Sequence, residues 1–150
     1  MSKSYWMVVT TPENFEITRS MGFTLLGLKV YHRKKVQRIE NNDRILYYIS
    51  KARYFGATAT AKSKYFEGQE PIWQMEGGDP LNYRVKIRPD VVLEKEQLLD
   101  AYQLAPGLEY VRRWPPEDWY LAFLGNLHLL SKRDFSLIEN EMHRIIHPKV

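Results

Sequence analysis

Residues Ser4 to Phe15 read SYWMVVTTPENF, and the handover inside this stretch decides the fold. Tyr5 to Thr10 is a run of aromatic and β-branched residues, the composition of a buried strand. Thr11 then offers a hydroxyl at a helix N-cap position. Pro12 follows at the first helical position, where a missing N–H is harmless. The pattern predicts a strand over 4–10, a corner at Thr10-Thr11-Pro12, and a helix over Pro12–Met21 closed by Gly22 as a left-handed cap. Such a corner has two uses. It hands a core strand to a helix, or it brings side chains and helix N–H groups against a ligand.

Working outward, segment 23–42 is basic and turn-rich, and RILYYIS (44–50) reads as a buried strand. GATATAKSKYF (56–66) predicts the next strand, and 67–82 a loop of Gly, Pro and acids around Ile72-Trp73. In YRVKIRP (83–89), Tyr83, Val85 and Ile87 alternate with Arg84, Lys86 and Arg88, a half-buried strand with a basic outer face. Glu94–Leu104 suggests a short helix. Pro115-Pro116 opens another, running through Trp119, Phe123, Leu127 and Leu130. Ser131-Lys132-Arg133-Asp134 has the form of a capping box, followed at helical spacing by Phe135, Ile138, Met142 and Ile145. Nothing repeats the β-α-β rhythm of a parallel sheet. The reading is a single α+β domain over 1–150, a mostly antiparallel β-barrel-like sheet with helices packed over its ends.

Composition narrows the chemistry. The chain has 150 residues, enough to bury a substantial core, with 10 Tyr, 6 Phe, 4 Trp and no cysteine. Disulfides, thiolate metal sites and cysteine nucleophiles are thereby excluded, and a cytoplasmic location is expected. The opening MSKSYWMVV has too short an apolar run for a signal peptide, and no stretch approaches the roughly 18 apolar residues of a membrane span. Net charge is +4 but uneven: residues 29–64 carry ten Lys/Arg against Glu40 and Asp43, whereas 65–150 are net acidic. A one-sided positive field interleaved with aromatics points to a polyanion, and nucleic acid is the expected partner.

Catalytic equipment is absent. No phosphate-binding loop, nucleophile elbow or His-Glu-x-x-His motif occurs. His143 and His147 share a helical face, but Pro148 follows and no third ligand is near, so no metal, cofactor or catalytic residue is expected; His32 and His128 lie elsewhere in the sequence.

Five segments in order, YWMVVTTPENF (5–15), NNDRILYYISK (41–51), NYRVKIRP (82–89), DWYLAFLGN (118–126) and DFSLIENEM (134–142), resemble the EVE-domain family of small PUA-like proteins, related to YTH and ASCH domains. The resemblance spans nearly the whole chain. It implies a PUA-like β-barrel and a non-enzymatic reader of a modified, methylated or hydroxymethylated, base in DNA or RNA. By position it implies a base pocket of Trp6, Thr10, Thr11, Asn14, Leu26, Tyr48, Ser50 and Trp73. The family's Trp-Gly pair is replaced here by Leu26-Gly27, leaving Phe23, Tyr31 or Phe55 to complete an aromatic wall. Arg33, Lys34, Lys35, Lys51, Arg53 and Arg84 are the expected phosphate contacts, and the protein is expected to act as a monomer. The alternatives are a PUA-like RNA-binding module of translation or RNA modification with no modified-base requirement, an enzyme on a modified nucleotide using Glu13, and a protein-interaction domain.

Overall fold

The computed structural model describes residues 3–29 and 33–147; Tyr31, His32 and Pro148 lie outside the described residues. The corner forms as the sequence dictates. Strand β1 (Tyr5–Thr10) leads into helix α1 (Pro12–Ser20), whose N-cap Thr11 accepts a hydrogen bond from the Asn14 N–H at 3.2 Å. Gly22, just beyond the helix, has a left-handed φ of 71°.

β2 (Leu25–Leu28) and a single helical turn, α2 (Arg33–Val36), precede the hairpin of β3 (Arg44–Ile49) and β4 (Tyr54–Ala61). Two residues, Phe66–Glu67, form β5, and the long β6 runs Tyr83–Val92. A 3-10 turn at Lys95–Gln97, the two-residue β7 (Leu99–Asp100) and the short α3 (Ala101–Leu104) then occupy the expected helix. A 3-10 segment, Pro116–Phe123, leads to β8 (Leu127–Leu130) and the closing helix α4 (Lys132–Ile146). The Ser131 hydroxyl caps α4 by accepting from the Asp134 N–H at 3.1 Å.

The sheet runs β2-β6-β4-β3-β1-β8, with β5 added on β6 and β7 on β4. Among the described residues only β1 and β3 pair in parallel; the other pairings are antiparallel. The result is α+β, a curled mixed sheet forming a half-barrel with helices against it. A side chain just before the edge strand β8 ties the end of β2 to β1. Asn126 accepts from the Lys29 N–H after β2 at 3.1 Å and donates to the Val9 carbonyl of β1 at 2.8 Å.

Both faces of the central strands are buried, which explains the uninterrupted apolar run in RILYYIS. Period-2 alternation sends Trp6, Val8, Ile45, Tyr47 and Ile49 into the curl, where α1 inserts Phe15 against Phe23 and Tyr47. Gly56 is required for that insertion, since a Cβ there would lie 2.5 Å from the Phe15 ring. The other parity, Met7, Leu46, Tyr48 and Phe55, faces outward and is covered by Trp119 and Phe123 of the 3-10 segment and by Phe135, Ile138 and Met142 of α4.

Two expected helices differ. Leu127 and Leu130 do not continue the Trp119–Phe123 helix. Gly125, at φ 99°, turns the chain, and Leu127–Leu130 pair as a strand with β1. Glu94–Leu104 is broken because Leu99 and Asp100 pair with the start of β4. No described helix is long and apolar enough to cross a membrane.

Candidate nucleic-acid interface

The Thr11 corner, the end of β3 and the segment before β8 meet at a cavity of about 380 Å³. That volume lies within the ~300–1,000 Å³ of small-ligand pockets. Tyr48, Tyr120 and Phe123 supply its aromatic lining, and Leu124, an exposed apolar residue, also borders it. Thr11, Ser50, Glu76 and Asn126 supply polar groups; Lys29, Lys51 and Arg53 supply positive charge.

The aromatic side is rigid. The Tyr48 ring packs edge-on against Phe123 with centroids 4.8 Å apart and against Trp119 at 6.3 Å. Burial pushes the Tyr48 hydroxyl up to about 12, with Arg53 pulling partly the other way, so it stays a neutral donor at neutral pH. Arg53 lies 4.2 Å from the Tyr120 ring centroid and donates to the Tyr102 hydroxyl at 2.7 Å. A guanidinium held over a ring in this way is a preformed planar platform. Lys51 and Arg53 both have left-handed backbone, φ 66° and 61°. Non-glycine residues there carry strain of about 1–3 kcal/mol each, which recurs at ligand-binding turns.

Of the residues expected in the base pocket, Thr11, Tyr48 and Ser50 line this cavity. Thr10 is buried beside it, and its carbonyl accepts from the Ser50 hydroxyl at 3.2 Å. The other four stand elsewhere. Trp6 is fully buried inside the curl and its indole N–H donates to Asp43 at 3.0 Å. Leu26 is buried in the same core cluster.

Asn14 and Trp73 do come together, but as a latch for the 68–82 loop. The Asn14 amide exchanges hydrogen bonds with the Gln74 backbone, accepting from its N–H at 2.8 Å and donating to its carbonyl at 2.9 Å. Its second amide hydrogen goes to Glu76 Oε2 at 2.8 Å. Those contacts use both N–H groups and occupy the carbonyl oxygen. The Trp73 indole donates to Thr18 Oγ1 at 2.9 Å and lies so close to β2 that a Cβ on Gly27 would be 2.6 Å from its ring. Trp73 is a core residue under a polar loop, not an exposed stacking wall.

The expected phosphate contacts divide in the same way. Lys51 and Arg53 border the cavity. Arg33, Lys34 and Lys35 are exposed on α2, with Lys35 Nζ donating to the Leu127 carbonyl at 3.0 Å, just past the cavity-lining Asn126. Arg84 is buried. It bonds Glu70 Oε2 at 2.7 Å and the Glu70 carbonyl, and stacks on Trp73 at 5.4 Å. Strand alternation put Arg84 on the outer face, but the 68–82 loop folds over that face and seals it. The Arg84 guanidinium beside Glu70 also helps hold that carboxyl below its ordinary range, after the Glu70 backbone hydrogen bond.

Among the cavity residues that escaped the sequence reading are Tyr120, Phe123, Asn126 and Glu76. The first three lie in DWYLAFLGN, whose helical spacing disguised the Gly125 turn that aims them at the cavity. Glu76 sat in a stretch of loop acids with no periodicity to mark it.

A larger cleft, about 1020 Å³, opens at the opposite end of β3 among Arg44, Thr60, Arg88, Asp90, Glu139 and His143. Its Arg44, Asp90 and Glu139 are paired with one another. Arg44 bridges Glu139 at 2.5 Å and Asp90 at 3.0 Å, and Thr58 and Thr60 donate to the same two carboxylates. Among the described residues no Phe, Tyr or Trp lines it, and its ring is the His143 imidazole.

No protein-family model matches the chain, and no curated protein matches it. Solved structures do share its fold. A hypothetical protein from Leishmania major superposes with a TM-score of 0.65 at 12% identity, covering 95% of this chain and 96% of that one. The Mmi1 YTH domain, solved with RNA, gives 0.67 at 9% identity over 96% and 83% of the two chains. The YTH domain of Zygosaccharomyces rouxii MRB1, in complex with N6-methyladenosine RNA, gives 0.65 at 12% over 99% and 87%. The chain therefore has a YTH-like, PUA-like fold. The narrower EVE resemblance read from its motifs has no counterpart among these structures.

Proposed function

We propose that the protein is a non-enzymatic nucleic-acid-binding module that receives a single modified base in the cavity at the Thr11 corner. The observation that carries this reading is the joining, in one cavity of about 380 Å³, of aromatic lining, cationic rim and hydrogen-bonding groups. Extruding a base from a stack costs a few kcal/mol. Stacking on an aromatic or guanidinium plane returns about 1–3 kcal/mol per base, and Arg53 braced on Tyr120 offers such a plane. Lys29, Lys51 and the exposed α2 cluster can then hold the flanking phosphates. The RNA in the Mmi1 and MRB1 YTH structures supports the same reading by analogy of fold.

The test is a binding screen of DNA and RNA oligonucleotides bearing 5-methylcytosine, 5-hydroxymethylcytosine or N6-methyladenine against unmodified controls. One modification should bind at least about tenfold more tightly than its control, the scale of one well-made contact of about 1.4 kcal/mol. Equal binding of all members would favour an RNA module indifferent to modification, and no binding would refute the nucleic-acid reading.

A further inference from the structure

We infer that Glu76 sets the base preference of the cavity, selecting a nucleobase with an exocyclic amino group in place of the carbonyl of its deaminated counterpart. The inference rests on the base-reading function proposed above.

Glu76 is only 9% exposed and lines the cavity. One carboxylate oxygen, Oε2, is occupied by Asn14 Nδ2 at 2.8 Å, while Oε1 has no hydrogen-bond partner among the described residues. The side chain is fixed from both sides. Asn14 clamps Gln74, two residues earlier, through its backbone, and Glu76 and Asp79 exchange paired backbone hydrogen bonds at 3.0 Å around Gly77-Gly78. A largely buried acceptor that lines a cavity and is left open on one oxygen favours a ligand that fills it with a donor.

The neighbouring polar groups make this acceptor the distinctive one. The Ser50 hydroxyl already donates to the Thr10 carbonyl, and Asn126 bonds the Lys29 N–H and the Val9 carbonyl. A carboxylate can only accept. Cytosine N4 and adenine N6 are donors, and N6-methyladenine retains one N–H. Uracil and hypoxanthine present a carbonyl oxygen at the corresponding position, and its lone pairs would face those of the carboxylate.

The experiment uses matched single-stranded RNAs that differ at one base, cytidine against uridine and adenosine against inosine, with and without the modification found to bind best. The wild-type protein should prefer the amino member of the accepted pair by about tenfold or more, the discrimination of a good base-edge contact. Glu76→Gln keeps an oxygen for Asn14 and adds an amide N–H, so it should abolish or reverse that preference. Equal affinities within both pairs, or a preference unchanged by Glu76→Gln, would overturn the inference while leaving base reading intact. The wild-type comparison stands even if the variant does not fold. Failure to bind any of the RNAs, with or without modification, would remove the base-reading function itself.

Discussion

Two parts of this molecule carry the same kinds of residue and do opposite things with them. The 68–82 loop brings together Asn14, Trp73, Arg84 and Glu70, a set that reads as a ligand site on paper. Its amide, indole and guanidinium are instead turned on one another, on Thr18 and on the backbone. The β3–β4 turn and the segment before β8 bring together Lys51, Arg53, Tyr120 and Phe123, where Arg53 is braced yet borders open space. Residue type does not separate a latch from a site. Burial does: Arg84 and Trp73 are covered, whereas Arg53 borders a cavity.

The comparison breaks first at Trp73. As a core residue packed on Gly27, Trp73→Ala should cost about 3–5 kcal/mol of stability, read as a fall in the denaturant midpoint. A soluble variant of unchanged stability that lost nucleic-acid binding would return Trp73 to the site. Asn14→Ala should cost about 1–3 kcal/mol by leaving the Gln74 N–H and the Glu76 carboxylate short of partners. Chemical denaturation measures that loss, and faster amide exchange at Gln74 would locate it in the loop.

At the cavity the balance should invert. Arg53→Ala removes cation–π contacts worth about 0.5–1 kcal/mol to the fold, but should weaken oligonucleotide binding by about 1–3 kcal/mol through the lost stacking plane. Anisotropy titration and thermal melting of one sample give both numbers. If stability falls and affinity does not, Arg53 belongs with the latch.

The smallest effect concerns Tyr47, whose hydroxyl is buried inside the curl with no hydrogen-bond partner among the described residues. Tyr47→Phe should leave stability at pH 7 within about 1 kcal/mol of wild type or raise it, because it removes an unsatisfied group. Burial raises the hydroxyl pKa of both Tyr47 and Tyr48 above 10.0, Tyr48 to about 12. A raised folded-state value leaves stability complete below pH 10 and erodes it as pH climbs past that point, where only the unfolded chain ionises. Alkaline unfolding should therefore be blunted in Tyr47→Phe and in Tyr48→Phe.

Local chemistry made some of this legible in the sequence. Thr11-Pro12 capped α1, the apolar run at 44–50 gave β3, and Ser131 with Asp134 started α4, because each signal acts within one turn or strand. β2 and β8 were hidden: each is four residues long, and β8 sits where leucine spacing imitates a helix until Gly125 turns the chain. Arg84 defeated strand alternation because its cover comes from a loop that closes on it through Glu70. The cavity was half visible. Thr11, Tyr48, Ser50, Lys51 and Arg53 lie in the segments that build it, whereas Glu76 and Tyr120 become site residues only after long-range folding brings them to the corner.

Amide chemical-shift mapping locates the binding surface. On titration with the best-binding oligonucleotide, the largest perturbations should cluster at Thr11, Ser50–Arg53, Glu76 and Tyr120–Asn126. Perturbations centred on the cleft around Arg44 and Glu139, with the Thr11 corner unmoved, would contradict that placement.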